Sequence, residues 1–176
     1  TVNFAANDAY TTAIRRIVED VKRDIENNRP DIQELLSKRD WSRDDRRVWE
    51  TYLSAGVVER MRAIPGMDTY RTEGRHPVRR SSSLNDLSMD IGNAGRPPTL
   101  EFDCEHMSAT VGIALQRIEN HCLSGVSSGL RAPHSYHYVT GMAYNFPDGK
   151  RRDGEGHATI MSSATGNIIE ATTISG

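Results

Sequence analysis

The cysteine at position 104 stands at the predicted start of a helix. Apolar side chains recur behind it at spacings of four, four and three, which places them on one helix face: Met107, Val111, Leu115 and Ile118. Asp103 is a suitable N-cap, because its carboxylate can accept hydrogen bonds from the free amides of the first turn. A helix N-terminus carries a partial positive charge that favours thiolate over thiol. The position suits a nucleophile, and a half-buried structural cysteine is the alternative.

A nucleophilic thiol needs a base for its proton and a third group that orients the base. His157 is the strongest candidate base, since it opens a predicted strand after Gly156 and imidazole titrates near neutrality. Glu170 lies in the next predicted strand between isoleucines and an alanine, where a buried carboxylate requires a partner. The third group is therefore predicted to be Glu170, provided that the two strands bring it close to His157.

The register of the hairpin decides whether His157 and Glu170 can meet. A turn over 162–165 places the two residues directly opposite each other. A two-residue turn at Gly166-Asn167 instead pairs Glu170 with Ser163. Glu170 would then lie about 20 Å from His157, at the usual rise per strand residue. We favour the first register, because only that register gives the carboxylate a partner.

The elements that must position these residues lie in the second half of the chain. A small, Gly-rich stretch from Ser124 to Pro133 predicts a loop after the cysteine helix. The pattern then changes to strands separated by turn residues, at Tyr136–Phe146, His157–Met161 and Ile168–Thr173. These strands predict an antiparallel meander of three or more strands packed on the cysteine helix.

The first half of the chain is predicted to be helical. Helices are expected over 5–28 and 31–38, and a third helix is expected from the N-cap Ser42 to a stop at Pro65-Gly66. The predicted core positions of the first and third helices are Ile14, Ile17, Val18, Val21, Ile25, Val48, Trp49, Tyr52, Leu53 and Val57. The fold class is therefore α+β in one compact domain, with a helical region over 1–66, a long loop over 67–100 and a catalytic core over 101–176.

Composition excludes several classes of partner. The chain has 176 residues, a net charge of -2 and a pI of about 6.3, which do not suit a nucleic-acid or membrane surface. We find no apolar run of membrane-spanning length and no signal peptide, and we expect the chain to be a piece of a longer protein. A disulfide between Cys104 and Cys122 is rejected, because the predicted helix separates them by more than about 20 Å.

The remaining histidines are candidate metal ligands. His106, His134 and His137 could join Cys104 around zinc, but their spacing matches no structural zinc pattern. His76 and His121 are expected at the surface. No metal and no cofactor are therefore predicted.

Three short motifs, taken in order, resemble the transglutaminase-like superfamily of cysteine enzymes, whose geometry the papain-like folds share. They are Asp-Cys-Glu before a helix, Gly-His-Ala at the start of a strand, and an acid in an apolar strand before Ala-Thr. The resemblance covers roughly 101–173 and implies Cys104 as nucleophile, His157 as base and Glu170 as orienting acid. The superfamily usually has aspartate at the third place, so Asn167 is the alternative, as an asparagine is in papain-like enzymes.

The resemblance implies a thiol-dependent amide hydrolase or acyl-transferase: a cysteine protease, an amidase, a glutamine deamidase or a transglutaminase. The substrate would be a protein or peptide amide, with a glutamine of a host protein as one candidate. Because members include toxin and effector domains, a secreted bacterial effector acting in a host or target cell is favoured, and a cytoplasmic protein is the alternative. The rival functions are a peptidoglycan amidase of similar fold and a non-catalytic helical adaptor that binds partners through its N-terminal helices.

Overall fold

The computed structural model describes residues 9–63, 104–143 and 155–171. Within these ranges the chain is α+β, with four helices and a small antiparallel sheet. The elements are α1 (Ala9–Asn28), α2 (Pro30–Ser37), α3 (Arg43–Arg62), α4 (Cys104–Cys122), β1 (Tyr136–Ala143), β2 (Glu155–Ser162) and β3 (Ile168–Ile169). The predicted loop over 67–100 lies outside the described residues.

Helices α1 and α2 follow the apolar pattern of the sequence. The apolar positions predicted for α1 are all buried: Ile14, Ile17, Val18, Val21 and Ile25. Helix α2 begins with Pro30, whose missing amide proton costs nothing in a first turn, and buries Ile32 and Leu35. The prediction of helices at these two places is confirmed, while the four residues before Ala9 lie outside the described part.

Helix α3 starts with the predicted N-cap. The Ser42 hydroxyl accepts from the Asp45 amide at 3.1 Å, and the Asp45 carboxylate accepts from the Ser42 amide at 3.0 Å, which forms a capping box. Two of the predicted core positions differ in the structure. Val48 is 53% exposed and Tyr52 is only partly buried, because the buried stripe of α3 runs through Arg46, Trp49 and Leu53 instead.

Helix α4 begins at Cys104 as predicted and forms the centre of the fold. It packs against α1 and α3 on one side and against β1 and β2 on the other. Every residue from Met107 to Leu115 is buried, because a helix enclosed from both sides needs apolar or small residues all around. Cys122 is the last residue of α4 and has a free thiol. The predicted N-cap Asp103 lies outside the described residues.

The sheet is the predicted antiparallel meander in the order β1-β2-β3. The described part of β1 ends at Ala143, β2 is longer than predicted, and the ladder between β2 and β3 consists of two pairs. The sheet buries Tyr136, Ala158, Ile160 and Ile169 against the helices. None of the helices in the described ranges is long and apolar enough to cross a membrane.

Candidate functional site

The structure places Cys104 and His157 on two elements that pack together. Cys104 is the first residue of α4, and His157 lies in the middle strand β2, opposite Gly141 of β1. Ser108, one helical turn after Cys104, donates from its hydroxyl to the carbonyl oxygen of Ala158 at 2.8 Å. The first turns of α4 therefore lie against the segment of β2 that contains His157. The side chains of Cys104 and His157 themselves lie outside the described part.

The hairpin that carries Glu170 has neither of the two predicted registers. Ile160 pairs with Ile169, and the loop closes through hydrogen bonds from the Gly166 amide to the Ser162 carbonyl, at 2.8 Å, and from the Ser162 amide to the Asn167 carbonyl, at 3.0 Å. The loop therefore has four residues, 163–166. Gly166 has a φ of 71°, a conformation that glycine adopts without a steric penalty. Both registers were wrong because this positive φ closes the loop one residue later than the favoured prediction.

The observed register changes the relation of Glu170 to His157. The described ladder ends at the pair Ile160–Ile169, so Glu170 follows its last pair, while His157 lies three residues before Ile160 along β2. Glu170 is also exposed, whereas Ile169 and Ala171 on either side are buried. The expectation of a buried carboxylate was therefore wrong, because strand alternation sends Ile169 rather than Glu170 into the core.

Asn167, the alternative third member, lies much farther from His157. It stands opposite Ser162, five residues along β2 from His157, which corresponds to about 16 Å. An amide side chain cannot span that distance. The register thus favours Glu170 over Asn167 as the group that orients His157.

The second cysteine has an environment that suppresses reactivity. Burial of the Cys122 thiol raises its pKa to about 11. Cys122 lies about 27 Å from Cys104, at the usual rise of a helix between its first and last residues. This separation agrees with the rejection of a disulfide between the two cysteines.

The described histidines offer no metal site. His121 and His137 are exposed, and a ring nitrogen of His134 lies 3.0 Å from the Gly129 carbonyl oxygen. In the part of the chain that the structure describes, no three residues of ligating type cluster as a metal site would require. His76 lies outside the described residues, as does the side chain of His106.

A buried ionic cluster is the main feature that sequence reasoning missed. Arg46 is fully buried and donates to the carboxylates of Glu50, at 2.9 Å, and Glu119. Burial by itself lowers the pKa of Arg46, but the Glu119 carboxylate outweighs this effect and keeps that pKa above its ordinary value. Two carboxylates thus share one guanidinium, and the cluster joins α3 to α4.

Uncharged groups also donate hydrogen bonds to both carboxylates. Glu119 accepts from the Trp49 indole at 3.0 Å, the Tyr136 hydroxyl at 2.8 Å and the His134 amide at 3.2 Å. Burial and the Glu119 charge raise the pKa of Tyr136. This shell satisfies a charge that would otherwise be costly to bury.

Glu50 ties the turn between β2 and β3 to α3. It accepts from the Ser162 hydroxyl and, at 2.8 Å, from the Thr165 hydroxyl. These hydroxyls in turn accept from turn amides, those of Ala164 and Asn167. One signal of this cluster was present in the sequence. Arg46 and Glu50 are four residues apart on the same face as Trp49 and Leu53.

Two shallow hollows flank the exposed face of α3. One, of about 560 Å³, lies between α3 and β3, with Glu50 and Glu170 among its lining residues. The other, also of about 560 Å³, lies between α2 and α3 and includes the exposed Val48. Ile168, 55% exposed, lines the first hollow.

Comparison of the chain with protein-family models, with curated proteins and with solved structures finds no match. The resemblance to transglutaminase-like enzymes therefore stays an expectation from the three sequence motifs.

Proposed function

We propose that the protein is a thiol-dependent amide hydrolase or acyl-transferase in which Cys104 is the nucleophile. One observation carries the proposal: Cys104 is the first residue of a helix whose next turn is hydrogen-bonded to β2 beside His157. A thiol at a helix N-terminus is favoured as thiolate, and an adjacent imidazole is the usual acceptor of its proton.

The proposed reaction has two steps. The Cys104 thiolate attacks the carbonyl carbon of the amide, and the resulting oxyanion accepts from free amides of the first turn of α4. His157, as imidazolium, gives its proton to the departing nitrogen, which leaves an acyl-thioester on Cys104. Water then attacks the thioester in a hydrolase or deamidase, and an amine attacks it in a transglutaminase. His157 takes the proton of that attacking group and the thiolate is released.

Glu170 is proposed to orient His157. The support is that Glu170 follows the last pair of the ladder and so lies nearer to His157 along the sheet than Asn167 does, and its negative charge would stabilise the imidazolium. The substrate is proposed to be a protein or peptide amide, and a glutamine of a host protein fits a secreted bacterial effector. That origin, like the peptidoglycan amidase that is the enzymatic alternative, follows from analogy with the superfamily.

The proposal can be tested without knowledge of the natural substrate. p-Nitrophenyl acetate transfers its acetyl group to a reactive thiolate and releases nitrophenolate, so the parent should show a burst of one nitrophenolate per chain. Cys104→Ser should abolish the burst, His157→Ala should nearly abolish it, and Glu170→Gln should reduce it. Cys122→Ser is the matched control, and it should leave the burst unchanged.

Each result that contradicts the proposal points to a different alternative. A burst that survives Cys104→Ser would remove Cys104 as the nucleophile. If the parent shows no burst and its Cys104 ionises as an ordinary thiol, the non-catalytic adaptor becomes the better account. A normal burst in Glu170→Gln together with a lost burst in Asn167→Ala would exchange the third member.

A further inference from the structure

We infer that Ser108 is a positioning residue that holds the Cys104 end of α4 in place against the His157 segment of β2. The inference rests on the proposed function. Both sides of the contact are buried, since Ser108 is 0% and Ala158 is 1% exposed. The bond from the Ser108 hydroxyl to the Ala158 carbonyl is 2.8 Å long and crosses from helix to strand.

The register of the sheet explains why this carbonyl accepts from a side chain. Ser162 directs its amide and carbonyl towards β3, so the other even-numbered residues of β2 do the same. In the described residues the ladder with β3 ends at the pair Ile160–Ile169. The Ala158 carbonyl therefore lies two residues beyond the last paired residue of β2, Ile160. There it accepts the hydrogen bond from the Ser108 hydroxyl.

In the described residues, hydrogen bonds join α4 to the sheet near both of its ends. At its far end, Glu119 accepts from the Tyr136 hydroxyl, and the Gln116 side chain accepts from the Tyr136 amide at 2.9 Å. Near its other end, one turn from Cys104, Ser108 makes a hydrogen bond of this kind. Apolar packing resists separation of helix and sheet, but it is non-directional and does not define how far α4 slides or turns. The hydrogen bond of Ser108 therefore sets the separation between the positions of Cys104 and His157.

The test measures the rate of Cys104 alkylation by iodoacetamide between pH 5.5 and pH 8.5, resolved by mass spectrometry. An ordinary thiol becomes about 500-fold more reactive over this range, because its thiolate fraction rises by that factor. A Cys104 thiolate paired with His157 imidazolium stays ionised, so the parent rate should change by less than about tenfold.

Four variants separate positioning from stability. Ser108→Ala and Ser108→Val should steepen the pH dependence at least tenfold, whereas Ser108→Thr retains a hydroxyl and should restore the parent profile. Thr and Val have the same shape and differ only in the hydroxyl. Comparison of Ser108→Thr with Ser108→Val therefore tests the hydrogen bond even if Ser108→Ala does not fold. Tyr136→Phe removes a buried hydroxyl contact at the far end of α4 and should leave the profile of Cys104 unchanged.

The possible results distinguish the two proposals. A flat parent profile that stays flat in both Ser108→Ala and Ser108→Val would overturn the role of Ser108 and leave the proposed function standing. A steep profile that is already present in the parent would overturn the proposed function, and the inference about Ser108 with it. Equal steepening in Tyr136→Phe would show that general loosening of the fold, rather than Ser108, controls Cys104.

Discussion

The replacement Arg46→Met tests the importance of the buried ionic cluster. Methionine approximates the volume of the arginine stem but supplies neither charge nor hydrogen-bond donors. The variant therefore leaves Glu50 and Glu119, which are 4% and 0% exposed, without their shared guanidinium.

The expected loss follows from what remains around each carboxylate. Glu119 keeps the donors Trp49, Tyr136 and the amide of His134, and Glu50 keeps two hydroxyl donors. Neutral donors do not replace a countercharge, and removal of one partner from a buried pair costs about 3–5 kcal/mol. For a chain of this length each kcal/mol lowers Tm by about 2–4 °C, so Tm should fall by about 6–20 °C.

Equilibrium unfolding in urea, followed by tryptophan fluorescence, measures the loss in free energy of unfolding, and thermal unfolding measures the fall in Tm. Arg23→Met is the matched control, because it removes the exposed ion pair with Asp20 and should cost less than about 1 kcal/mol. If Arg46→Met unfolds within about 1 kcal/mol of the parent, or loses no more than Arg23→Met, the cluster does not stabilise the fold as described.

Two further predictions concern single residues. Ser42→Ala removes the capping box of α3 and should lower the free energy of unfolding in urea by about 1 kcal/mol. The control is Ser37→Ala, which changes an exposed serine at the end of α2 and should alter stability by less than about 0.5 kcal/mol. Equal effects of the two variants would contradict the role of the cap. Burial raises the pKa of Cys122 from 9.0 to about 11, so between these values the unfolded chain loses a proton that the folded chain keeps, and stability should fall as pH rises from 9 to 11. Cys122→Ala should lessen that fall, and an unchanged pH slope would show that the thiol does not contribute to it.

Periodicity alone was sufficient for the helices and most of the core. The apolar spacing in α1 identifies its buried face, because a helix repeats every 3.6 residues whatever it packs against. In α4 the spacing identifies only part of the buried surface, since every residue from Met107 to Leu115 is buried. The start of α4 at Cys104 and the Ser42 cap were likewise readable, since both depend on residues next to the helix end. The pairing of β2 with β3 followed from the short turn between these two strands.

Only the tertiary structure decided the hairpin register and the charged core. The register depends on how the loop closes around Gly166, because moving the loop by one residue shifts every pairing by two residues along β2. Arg46 and Glu119 are 73 residues apart in sequence, so no local pattern reports that they meet. Burial of charge is decided by partners that folding brings together from distant segments, because a lone charge would remain in water.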